Sequence, residues 1–275
     1  MSSRLKSSEK TPRASADAAL KCILLSTIAV ACLVASACQD GTQPHLSEAE
    51  IQKAIDSACS KPFTGVAALD GTGSMKSTAT RPAVIDDFNP LIDRLSECGG
   101  EIAVIYIRDQ AETGAERLLF PEPPALPARP IKQDDEEPYE LSDRLDNYNS
   151  KLLERVQWIE ANRAAMQPRI DAFLAAVKRQ MERPAAKATD FNSAINSADV
   201  LLAEGNNVWA VEPEKYLIIV SDAIDTQKRP RFDFRSGANI YWVNTTTDDK
   251  ALAGLRFTRF ESFPAAVRNI VEGNR

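Results

Sequence analysis

The chain has 275 residues, 44% of them hydrophobic and 26% charged, with 11 Gly, 16 Pro and 5 Cys. This composition belongs to a globular protein of one large domain or two small ones, and it excludes collagen, low-complexity disorder and a polytopic membrane protein. His45 is the only histidine and precedes the main body, which leaves almost no room for a catalytic histidine or a His-based metal centre. The net charge of −6 is unevenly spread: residues 1–37 hold five basic side chains (Arg4, Lys6, Lys10, Arg13, Lys21) and two acidic ones (Glu9, Asp17), leaving 28 against 37 and a net −9 beyond them. An acidic body argues against nucleic acid as partner, since phosphate binding needs clustered Lys and Arg.

The amino terminus reads as an export signal. A basic, Ser-rich lead precedes a 16-residue apolar run, Cys22 to Ala37, which ends in Ala35-Ser36-Ala37 before Cys38. This is the layout of a secretory signal, and the run is short for a membrane span, which needs about 20 residues. Small residues followed by Cys also resemble a bacterial lipoprotein signal, in which Cys38 would be lipidated and become the mature amino terminus. The departures are Ala35, where Leu, Val or Ile is usual, and a 21-residue lead. Plain secretion, an uncleaved anchor and a buried helix are the alternatives. The expected organisation is a signal over 1–37 and a polar lead over 38–61, with the protein exported to the periplasm or cell envelope and held at the membrane by lipid. Once the signal is removed and Cys38 is lipidated, Cys59 and Cys98 remain, either a disulfide in an oxidising compartment or two buried thiols.

The body alternates strand and helix patterns. Gln39 to Ser60 is polar with a weak helical period. Thr64 to Asp70 is a buried strand bounded by Pro62 and Gly71, followed by an amphipathic stretch with Val84, Ile85, Phe88, Leu91, Ile92 and Leu95 at helical spacing. Asn89-Pro90 caps or kinks that stretch and Cys98-Gly99-Gly100 ends it. Glu101 to Asp109 is a strand, Arg117 to Phe120 a shorter edge strand, and 121–140 a Pro-rich solvated loop. A long helical pattern then runs from Leu145 to Met181, with Pro168 dividing it into two helices or kinking one. Asp190 to Glu204 is helical, Tyr216 to Val220 and Asn239 to Val243 are strands, and Phe263 to Val271 is a closing helix. Strands separated by helices imply crossover connections and a largely parallel sheet.

In such a sheet, ligands bind beyond the carboxyl ends of the strands. After the first strand stands Asp70-Gly71-Thr72-Gly73-Ser74-Met75; Thr189-Asp190 opens a helix; Ser221-Asp222-Ala223-Ile224-Asp225 follows a later strand. The donors are all oxygen, a set that selects hard cations, Mg²⁺ first and then Mn²⁺ or Ca²⁺. Taken singly, these residues also serve as turn formers and helix caps, which is the role assigned to Asp190 and Asp225. Competing motifs fail on single residues: Met75 rather than Gly precedes Lys76, against a phosphate loop; Thr72 stands where a haloacid-dehalogenase-type phosphatase needs a second Asp; and Ser74 has no His to activate it.

Taken in order, DGTGSM, Thr189 and SDAID resemble the metal-ion-dependent adhesion site of von Willebrand factor type A (vWA) domains, whose pattern is D-x-[ST]-x-S, a Thr on a second loop and an Asp after a central strand. The resemblance covers about 62–272, with a Pro-rich and helical insertion at 121–183, and implies an α/β fold of three layers, Rossmann-like, with a mostly parallel sheet flanked by helices. It implies that Thr72 and Ser74 bind the metal directly, that Asp70 and Asp222 act directly or through water, and that Thr189 does either. The partner would be a protein presenting Asp or Glu to the metal. Ala223, where the family often has Gly, is a departure. In that fold Cys59 lies at the same far edge as Cys98, so a disulfide between them is expected. An envelope scaffold working through the insertion, and a metal-dependent phosphoesterase-like enzyme, are the lesser readings.

Overall fold

A computed structural model describes residues 47–273, apart from 57, 60, 78–79, 110–113, 205–208, 225, 227–233 and 245–254. The expected signal segment, the lipidation site Cys38, His45 and Asp225 lie outside the described residues. The chain runs α1 (Glu48–Asp56), β1 (Phe63–Asp70), short 3₁₀ turns at Ser74–Ser77 and Ile85–Phe88, α2 (Asn89–Cys98), β2 (Gly100–Ile107) and β3 (Glu116–Phe120). It continues with α3 (Pro138–Met181), α4 (Phe191–Glu204), β4 (Glu214–Val220), β5 (Asn239–Val243), β6 (Phe257–Phe260) and α5 (Phe263–Gly273).

The six strands form one sheet in the order β3-β2-β1-β4-β5-β6, parallel throughout except for β3, which pairs antiparallel to β2 at one edge. This is the doubly wound α/β arrangement, and it sends β1, β2, β4 and β5 to end at a common edge. Side chains alternate across the pleat and so build two cores. Ala67, Leu69, Ile102, Val104, Tyr106, Ile218 and Val220 face one side, under Leu91 and Leu95 of α2, Ile170, Phe173 and Val177 of α3, and Val267 and Ile270 of α5. Val66, Ala68, Ile105, Ile107, Leu217, Ile219 and Trp242 face the other, under Phe191, Ala194, Ile195, Ala198 and Leu202 of α4. The result is three layers, with the inner strands buried on both faces. That is why their sequences read as unbroken apolar runs.

One element lies outside the sequence expectation, and one alternative left open there is decided. Strand β6 was not expected: its four residues are half-buried or exposed and show no apolar run, and it exists because it pairs in parallel with β5. The pattern across Pro168 is one helix of 44 residues, about 66 Å long at 1.5 Å per residue. Proline in a helix interior costs about 3 kcal/mol. Here both flanks are held. Tyr148, Leu152 and Arg155 are buried upstream and Ile170, Phe173 and Val177 downstream, while Arg163 bonds Asp93 and Ser96 on α2 one turn before the proline. The carboxyl half of the 121–183 stretch is thus part of a core layer.

The opposite edge, where the parallel strands begin, is closed covalently. Cys59 and Cys98 form a disulfide with Cα atoms 5.1 Å apart. Immediately after it the α2–β2 corner turns on two glycines in the left-handed region, Gly99 at φ 74° and Gly100 at φ 132°. A Cβ on Gly100 would lie 2.0 Å from the Phe63 carbonyl oxygen, so the β1–β2 pairing requires glycine there. Replacing both cysteines with alanine is expected to lower the unfolding free energy by about 4 kcal/mol, the loop-entropy value for a bridge spanning 39 positions, read from urea midpoints. Gly100→Ala should cost about 3 kcal/mol or more, because backbone rather than a flexible side chain must move; a midpoint unchanged from wild type would contradict this packing.

Candidate functional site

Three loops meet at the carboxyl edge of the sheet. The first leaves β1 at Asp70, the second precedes α4 and ends in Thr189-Asp190, and the third leaves β4 at Ser221-Asp222. Backbone bonds fasten the first to the second: Ala186 N–H donates to Gly71 O at 2.9 Å and Gly73 N–H to Ala186 O at 3.3 Å. The second is fastened to the third through Thr226, whose Oγ1 accepts from Thr189 N–H at 2.7 Å and whose own N–H donates to Thr189 O at 3.0 Å. The second is also held to β2, because Asp190 N–H donates to Arg108 O at 2.7 Å.

The first and third loops are joined by side chains. Thr72 donates both its N–H (2.8 Å) and its hydroxyl (2.6 Å) to Asp70 Oδ1. That hydroxyl lies 2.9 Å from Ser74 Oγ; since its one proton goes to Asp70, Ser74 is the donor between them. Ser221 Oγ donates to the other oxygen, Asp70 Oδ2, at 2.6 Å and accepts from Ala223 N–H at 2.9 Å. The Ser221 carbonyl in turn accepts from Trp242 Nε1 (2.8 Å) and Asn244 Nδ2 (2.6 Å), so the end of β5 holds the end of β4 in place. Asp222 caps its own turn, Oδ1 accepting from Ile224 N–H at 3.1 Å. Ala223 sits at φ 58°, a left-handed conformation that costs a non-glycine residue about 1–2 kcal/mol. Ser221 Oγ offsets part of this by bonding its N–H.

Burial raises the pKa of the Asp70 carboxyl. Hydrogen bonds from Ser221 and Thr72 pull it back down, and the charge of Asp222 pushes it up again. The groups acting on Asp70 are therefore hydroxyls, an amide and another carboxylate. Such a site gathers negative charge in a partly desolvated place and offers it hydroxyl dipoles instead of a cation.

Asp70, Thr72 and Ser74 form one hydrogen-bonded string, and Asp222 is close enough to act electrostatically on Asp70. Thr189 is buried, at 2% exposure, and its loop is tied to both neighbours through backbone bonds. Asp190 caps α4, Oδ1 accepting from Ser193 N–H at 3.3 Å. No group of three or more His, Cys, Asp or Glu side chains placed to hold a metal exists among the described residues. The donor set that gathers here is instead two carboxylates with hydroxyls, a chemistry suited to Mg²⁺, Mn²⁺ or Ca²⁺. Sequence reasoning missed the tie from Ser221 to Asp70. The signal was present in Ser221-Asp222 at a strand end, but only the fold shows which carboxylate the hydroxyl reaches. It also missed Thr226 and Arg108, which carry no motif.

No protein-family model and no curated protein matches this chain. Among solved structures 19 chains do. A von Willebrand factor type A protein from Catenulispora acidiphila is 12% identical with a TM-score of 0.34, over 78% of this chain and 42% of that one. The manganese-loaded TRAP protein of Plasmodium vivax is 13% identical with a TM-score of 0.34, over 78% and 73%. The pilus adhesin SpaC of Lactobacillus rhamnosus GG, in an open conformation, is 9% identical with a TM-score of 0.36, over 78% and 30%. The chain thus spans less than half the length of the Catenulispora protein and of the adhesin.

Proposed function

We propose that this chain is an exported protein-binding module that captures an acidic group of a partner protein through a divalent cation, Mg²⁺ foremost, held by Asp70, Thr72, Ser74, Thr189 and Asp222. The observation that supports it most is the Asp70 carboxyl, partly desolvated beside a second carboxylate and surrounded by hydroxyls. A bound cation would supply the missing positive charge and an attraction for one further anionic oxygen, the Asp or Glu carboxylate of a partner. The protein's own part is preorganisation. Ser221 fixes one oxygen of Asp70, Thr72 fixes the other, and Thr226 sets the height of Thr189 against the third loop.

We read the chain as a binding module and not an enzyme, since its one histidine is at position 45, ahead of the described body, and its serine at the strand end spends its proton on Asp70. The basic lead, the apolar run and Ala-Ser-Ala-Cys support export with lipid attachment at Cys38. A disulfide in the body suits an oxidising compartment. No helix among the described residues is long and apolar enough to cross a membrane.

Calorimetric titration of the EDTA-treated full chain with MgCl₂ should show one site, absent in Asp70→Ala and Asp222→Ala. At a hundred times its Kd, Mg²⁺ should raise the unfolding free energy by about 2.7 kcal/mol. No heat and no stabilisation with Mg²⁺, Mn²⁺ or Ca²⁺ would end the metal reading. Capture of a partner from an envelope extract should be abolished by EDTA and by Asp222→Ala alike; capture indifferent to both would place the contact elsewhere.

A further inference from the structure

A cavity of about 630 Å³ opens beside the first loop, between that loop, the end of β2 and the carboxyl end of α3. Its walls are mostly apolar, with Met75, Ala83, Tyr106, Met181 and Val220 among them, and Arg108 lies in its lining. Arg108 is only 6% exposed. Its Nη1 donates to Pro184 O at 3.1 Å and its Nη2 to Gln180 O at 3.3 Å, while its Nε is buried without a hydrogen-bond partner. Among the described residues no carboxylate lies within ion-pairing distance of this guanidinium. Carbonyls at a helix carboxyl end compensate a buried cation in part, but a charge kept from water calls for a counter-charge. Gly71 packs against the guanidinium itself: a Cβ there would come within 3.3 Å of Nε and Nη2.

We infer that this cavity is a carboxylate-binding subsite, in which Arg108 receives the acid group of a short aliphatic chain and the apolar walls take its methylenes. Two of the five guanidinium N–H groups are spent on carbonyls, and the donors left over on a side chain that lines the cavity suit a carboxylate. The size lies within the range of small-ligand pockets. Asp70 and Thr72 line the cavity as well, so its occupant would be a neighbour of anything held on the first loop. The inference does not depend on a metal. The acid can be a free short-chain carboxylate or a glutamate side chain of a bound polypeptide.

The test uses EDTA-treated full chain, with calorimetry of pentanoate, of glutamate capped at both termini by amide groups, and of pentylamine as the opposite-charge control. Pentanoate binding alone assigns the cavity to a free acid, and capped-glutamate binding assigns it to a protein side chain. In either case Arg108→Met should weaken binding at least tenfold and pentylamine should give no heat. Because Arg108 is buried, a second variant, Ala185→Phe, fills the cavity from an exposed rim position and should abolish binding while leaving Mg²⁺ titration as in wild type. Failure of both acids to bind, or binding indifferent to both substitutions, would overturn the subsite whatever the Mg²⁺ titration shows.

Discussion

The two hydroxyl-to-carboxylate bonds on Asp70 are the constraint from which the rest of the site follows. Asp70 is the last residue of a central strand, and its two oxygens are claimed by different loops, one by Thr72 and the other by Ser221. A carboxylate at a strand end in open solvent would turn freely. Here it is partly desolvated, so losing the Ser221 bond would leave Oδ2 an unsatisfied acceptor, at a cost of about 1–3 kcal/mol, and losing the Thr72 hydroxyl would leave Oδ1 with the Thr72 N–H alone. The bonds therefore hold the first and third loops at a fixed separation, and Trp242 and Asn244 extend that hold to the next strand through the Ser221 carbonyl.

The same logic explains why rigidity is concentrated at one edge of the sheet. Strands β1, β2, β4 and β5 are clamped in register by parallel pairing and by helices on both faces. Their ends consequently arrive at the site as stiff supports. Loop conformations that are costly in isolation, such as left-handed Ala223, persist because the surrounding bonds over-determine them.

Much of the architecture could be read in the sequence, and the physical reason is burial. Strands covered on both faces show apolar runs, so β1, β2, β4 and β5 were visible, as were α4 and α5 from their spacing. Strand β6 was invisible because pairing, not hydrophobicity, defines it. Across Pro168 local propensity leaves open two helices or one kinked helix, and only the packing on either side decides for a single one. Of the candidate site residues, Asp70 ends β1 with Thr72 and Ser74 just after it, Thr189 precedes α4 and Asp222 follows β4, the chain positions the motif order implies. The role of Ser221 depends on a contact spanning 151 positions, and that of Arg108 on a helix end 72 positions away; no local pattern encodes either.

The disulfide lies at the edge of the sheet remote from the three loops, and it joins the chain just ahead of β1 to the corner between α2 and β2. Tension arriving along the backbone from before residue 59 therefore divides at Cys59, part entering β1 and part crossing the sulfurs into its neighbour. Two adjacent strands, paired over eight residues, share the load along their length. A pull on that side of the molecule is spread into the sheet as shear before it reaches the opposite rim, leaving the spacing of the loops there undisturbed.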